Sequence, residues 1–165
     1  MNSDFLPILQ HEFLEKTLHE SFVSQTEYVL LHAGGIADYD HEFNRKVINN
    51  LSCFRKLHHD LNPWLEKTLN RKTKPTYNFF TEYKENGFCP KHTDRSPCKY
   101  TITICLKQSH ICPFWIQGTF YAMKENSMLL YSGTDHVHER PMVEYGFSRL
   151  VLLHYVDIDY QGVMI

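Results

Sequence analysis

The 165-residue sequence contains no CxxC pair, no apolar run approaching the ~20 residues a bilayer crossing needs, and no surplus of positive charge. Each absence removes a class of function. Zinc fingers and knuckles prefer cysteines two to four residues apart, so a structural zinc module built from Cys89, His92, Cys98, Cys112 and His110 is kept only as a rival reading. With a net charge of −2 there is no basic field to hold a phosphate backbone, and nucleic acid is disfavoured as a partner. A membrane partner is not expected. The stretch "MNSDFLPILQHEF" has no basic region followed by an apolar run, and the five cysteines are odd in number, which points to reduced thiols and a cytoplasmic location. No repeat, low-complexity tract or linker divides the chain. One domain over 1–165 is expected, able to bury roughly 70% of its unfolded surface.

What is present is aromatic and imidazole-rich: ten tyrosines, eleven phenylalanines and eleven histidines, a composition suited to strands around a concave pocket. Before Pro75 apolar residues recur at helical spacing. Leu14, Leu18 and Phe22 predict a helix over about 11–23, and "EYVLLHAGG" predicts a short strand ended by Gly34 and Gly35. Phe43, Val47, Leu51, Phe54, Leu57 and Leu61 predict a second helix over about 41–61 with Asp40 as its N-cap, broken at Pro63 before one or two further turns. After Pro75, β-branched and aromatic runs cut by turn signals predict strands at about 76–84, 99–107, 113–122, 127–131, 136–143 and 147–156. Helical support over 1–75 and a β sandwich or barrel over 76–165 define an α+β chain.

The segment "NGFCPKHTDRSPCKY" places His92 and Asp94 two residues apart, so on an extended backbone both side chains face one side and reach one ion. A third ligand is available in "YSGTDHVHERP", from His138 or His136. Two imidazoles and one carboxylate with open coordination positions suit a non-haem Fe(II) oxygenase. Such a centre uses 2-oxoglutarate as reductant, and an arginine fork suits its distal carboxylate. Arg149, opening the apolar "SRLVLLHYV", is expected to point into the barrel, with Arg140 as the alternative anchor. His58, His59 and Asp60 on a helix diverge too far to chelate one ion, and His154 and Trp115 are read as packing residues.

The order "YKENGFCPKHTDR", "YTITICL", "MLLYSGTDHVHERP", "GFSRLVLLHYVD" resembles the Fe(II)/2-oxoglutarate-dependent dioxygenase superfamily, nearest to its prolyl-hydroxylase-like arrangement, over about residues 77–157. The resemblance implies a double-stranded β-helix core (jelly-roll, cupin-like) with N-terminal supporting helices. It implies Fe(II) held by His92, Asp94 and His138, with 2-oxoglutarate bound by Arg149 and helped by Tyr83. It further implies O2 as oxidant, ascorbate as accessory reductant, and hydroxylation with release of succinate and CO2. The "HER" after His138 favours it over His136, although Glu139 departs from the aromatic the family commonly has there. Retention of Asp94 favours hydroxylation over halogenation. Few insertions are available to build a lid, so a small molecule or amino-acid-like metabolite is the leading substrate, with a peptide or protein side chain second. A non-catalytic jelly-roll binding protein is the remaining alternative.

Overall fold

The computed structural model describes residues 5–164. Its elements are β1 (Ile8–Gln10), α1 (Lys16–His32), β2 (Asp38–Asp40), β3 (Arg45–Asn49), α2 (Arg55–Asp60), α3 (Asn62–Leu69), β4 (Thr73–Lys84), β5 (Cys89–His92), β6 (Tyr100–Gln108), β7 (Pro113–Ile116), β8 (Thr119–Ala122), β9 (Met128–Ser132), β10 (His138–Arg140) and β11 (Phe147–Asp157). Two antiparallel sheets face each other: a seven-stranded sheet ordered β1-β9-β6-β11-β4-β3-β2 and a four-stranded sheet ordered β5-β10-β7-β8. This is an α+β fold with a jelly-roll core. None of the described helices is long and apolar enough to cross a membrane.

Strand parity divides the large sheet into two chemically different faces. Phe80, Ile102, Ile104, Leu130, Val151 and Leu153 pack with Phe22, Phe54 and Leu65 of the helical layer. Their neighbours Tyr83, Cys105, Leu129, Tyr131 and Leu150 pack towards the small sheet with Phe114 and Ile116. The large sheet is therefore buried on both sides. The helices brace it, and the space between the sheets is left for the site.

The N-terminal part corrects several expectations. The segment expected as a helix over 41–61 is helical only at its end, in α2. Its first half is the turn and second strand of the hairpin β2–β3, punctuated by Asn44 and Asn50 in left-handed backbone conformations. Asp40 is no N-cap; its carboxylate accepts from the Phe43 N–H and from Arg45 Nε. Most of the expected strand "EYVLLHAGG" is instead the end of α1, which stops at His32 before Gly34 and Gly35, because Phe22, Thr26, Val29 and Leu30 keep one face of that helix on the core. Pro63 sits in the first turn of α3, where its missing N–H costs nothing. The strands read after Pro75 recur within a few residues, except that 113–122 is the hairpin β7–β8 and 136–143 shrinks to β10.

Candidate metal centre and its cavity

The small sheet brings the motif histidines together. β5 and β10 pair with His92 opposite His138, and the two ring centres lie 4.4 Å apart. Asp94, just beyond β5, completes the group. Its Oδ1 lies 3.3 Å from His92 Nε2 and 3.6 Å from His138 Nε2. The three ligand atoms lie within 4.8 Å of one another.

Both imidazoles are oriented from behind. His138 Nδ1–H donates to the His136 carbonyl at 2.8 Å, and His92 Nδ1–H donates to the Pro90 carbonyl at 2.6 Å. Each ring therefore turns Nε2 towards the other two ligands, as metal-binding histidines need. Burial acts to raise the Asp94 carboxyl, but hydrogen bonds from His138 and His92 outweigh it and hold the group well below the usual carboxylate range. Asp94 in turn, followed by Cys89, raises His92 to about 10. Asp94 and His92 thus hold an ion pair, sharing a proton at the place where a divalent cation would sit. Asp94 Oδ1 is the oxygen turned to both imidazoles, while Oδ2 is buried beside Gly133 without a hydrogen-bond partner.

His136 takes no part in the triad. Its backbone N–H bonds the Ser132 carbonyl, and its Nδ1 accepts from the Ser132 N–H at 3.2 Å. Behind Asp94 lies a second possible ligand group, formed with Cys98 and His154. Burial pushes the Cys98 thiol up to about 11, and its Sγ lies 3.1 Å from Tyr77 Oη. His154 Nδ1 is occupied by Thr101 Oγ1 at 3.0 Å. Among the described residues the rival thiol cluster of Cys89, His92, Cys98 and Cys112 is not assembled, and all five cysteines are free.

The His92–Asp94–His138 cluster opens into a cavity of about 400 Å³ walled by both sheets, within the range that admits a small organic ligand. Tyr83 lines it, stacked under the guanidinium of Arg140 at 5.5 Å from the ring centre and accepting from Arg45 Nη1 at 2.9 Å. Burial pushes the Tyr83 phenol up to about 12, so it stays protonated.

Arg149 requires a correction: it does not reach this cavity. It shares strand parity with Val151 and Leu153 on the helical face, where Nε donates to Glu82 at 2.7 Å and Nη1 to Glu27 at 3.1 Å. Leu150, one residue on, occupies the inward position. The buried cation in the cavity is Arg140, two residues after His138 and therefore on the same face of β10. It is 2% exposed, its guanidinium lies 5.0 Å from the Phe114 ring centre, and its Nη2 has no hydrogen-bond partner.

No family model matches the chain, and no curated protein matches it by sequence. Solved structures do match by shape. HygX from Streptomyces hygroscopicus, with nickel, 2-oxoglutarate and hygromycin B bound, superposes with a TM-score of 0.73 at 12% identity over 93% of this chain and 84% of that one. SnoN, a non-haem alpha-ketoglutarate-dependent epimerase from nogalamycin biosynthesis, gives 0.76 at 10% identity over 92% and 77%. A Pseudomonas putida prolyl-4-hydroxylase gives 0.73 at 10% identity over 90% and 91%. The fold is thus the one used by Fe(II)/2-oxoglutarate oxygenases.

Proposed function

We propose that the protein is an Fe(II)- and 2-oxoglutarate-dependent oxygenase that hydroxylates a small molecule. The observation that carries this reading is the convergence of His92, Asp94 and His138, two Nε2 atoms and a carboxylate, on a cavity that also holds a buried guanidinium with an unsatisfied Nη2. The donor set fits Fe(II) and leaves coordination positions open. With iron, 2-oxoglutarate and O2 present, the centre supplies oxidative C–H hydroxylation: one oxygen atom enters the substrate as hydroxyl and the other enters succinate, with loss of CO2.

The chain's own groups have definite parts in this. His92, Asp94 and His138 hold the metal, with His136 and Pro90 carbonyls fixing the two imidazoles. Arg140 takes the distal carboxylate of 2-oxoglutarate, a charge-assisted bond that satisfies Nη2. Tyr83 supports that carboxylate from beneath the guanidinium. Phe114, Leu150 and Leu152 keep water from the reacting centre. A peptide or protein side chain is the second substrate reading, supported by the prolyl-4-hydroxylase of the same fold.

Aerobic incubation with Fe(II), ascorbate and 2-oxoglutarate should release succinate. His92→Ala and Asp94→Ala should abolish both iron binding and succinate. Arg140→Met should weaken 2-oxoglutarate binding by about 2–4 kcal/mol, the range for removing one partner of a buried charged pair. Succinate release absent under all metal conditions would leave a silent binding protein.

A further inference from the structure

The cavity is lined by three guanidinium groups, from Arg45, Arg95 and Arg140, but by one carboxylate, that of Asp94. The chain as a whole is weakly acidic at −2, and Asp40, paired with Arg45 at 2.9 Å, offsets one of these three cations. On the oxygenase reading, on which this inference rests, the metal takes Asp94 and the co-substrate takes Arg140. Arg45 and Arg95 are left nearer the solvent end.

Arg45 is built into place. It stands on β3 opposite Tyr83 and shares that residue's inward face. Its guanidinium lies 5.0 Å from the ring centre of Phe43, 5.5 Å from that of Phe79 and 5.6 Å from that of Tyr83. Nε donates to Asp40 and Nη1 to Tyr83 Oη, both at 2.9 Å. Three aromatic rings and two hydrogen bonds fix the plane of the fork, while Nη2 makes no hydrogen bond among the described residues. The side chain is only 15% exposed, so a carboxylate meeting that edge would be partly shielded from water. A planar, oriented donor pair beside apolar rings is what binds a carboxylate on an apolar body.

We propose that the primary substrate is a small organic acid whose carboxylate is read by Arg45, with Arg95 adding positive potential, and whose apolar body lies along Phe43 and Phe79. That orientation presents a carbon distant from the carboxylate to the metal group.

The test is calorimetric titration under argon of the full chain loaded with Fe(II) and 2-oxoglutarate. The probes are 3-phenylpropionate and hexanoate, each against its own carboxamide. The acids should bind roughly tenfold to a hundredfold more tightly than the amides, as expected for a hydrogen-bonded charge. Arg45→Gln should erase that ratio. Arg45→Lys, which keeps the charge but not the fork, should retain part of it, and it carries the test if the glutamine variant fails to fold. Equal binding of acids and amides, no binding of the acids, or an acid preference that survives Arg45→Gln overturns the proposal. Acid binding that depends on Arg45 without any succinate release would sink the oxygenase reading and leave this one standing. Succinate release without acid preference would do the reverse.

Discussion

At position 133 a methyl group would run into the Cys98 carbonyl oxygen and lie 2.5 Å from Asp94 Oδ2. The backbone there is already committed: the Gly133 carbonyl accepts the Asp94 N–H at 2.7 Å, and the Gly133 N–H reaches the Lys99 carbonyl at 3.0 Å. Gly133 thus sets the height of the Asp94 carboxylate, the proposed metal ligand, from the side away from the two imidazoles. Gly133→Ala is expected to weaken Fe(II) binding by roughly ten- to a hundredfold, as losses of supporting groups around metal ligands do. Titration with Fe(II) under argon measures it, and unchanged affinity would show that Asp94 is positioned by other contacts. The sequence shows this glycine only as part of a turn, "SGT". The contact that gives it a role joins two loops far apart along the chain, so no local pattern announces it.

At the scale of elements, Arg149 ties β11 to β4 through Glu82 and to α1 through Glu27. Glu82 has only 7% of its side chain exposed, so removing its cation leaves a buried charge. Arg149→Met should lower stability by about 3 kcal/mol in urea unfolding, the lower end of the range for a broken buried pair because Glu27 is partly solvated. Its affinity for 2-oxoglutarate should match that of the native chain. A large loss of 2-oxoglutarate affinity instead would return Arg149 to the anchor role. Expecting Arg149 to point inward failed by one residue of strand parity, and a one-residue shift exchanges the faces of a strand. β11 also carries a register irregularity between Arg149 and Leu150 against β6. Spacing likewise misled over 41–61, where Phe43, Val47 and Leu51 satisfy a helical period although the chain from 45 to 49 is a strand. The His92/Asp94 pair was legible because same-face geometry over two residues needs no register. So were the strands beyond Pro75, bounded by clear turn signals.

For the whole molecule, part of the acid sensitivity arises where helices meet the large sheet. His58 of α2 is 4% exposed; its Nε2–H donates to the His154 carbonyl, and its own carbonyl accepts from Tyr155 Oη. Burial, partly opposed by that carbonyl, lowers its pKa to about 4 from 6.5. The unfolded chain therefore binds a proton more readily than the folded one between these values. His58 costs the fold nothing above about pH 6.5, and stability falls as pH drops towards 4, by up to about 3 kcal/mol. Thermal unfolding followed from pH 7 to 4 should show a decline that His58→Gln reduces.

The two walls of the cavity are unequal. One is a seven-stranded sheet braced by helices, while β5 is a four-residue edge strand that, among the described strands, pairs only with β10. An ion bonded to His92, Asp94 and His138 would rivet that margin to its neighbour. Chelation would then do more than silence the chemistry: it would loosen one side of the chamber and let solvent in beside the imidazoles.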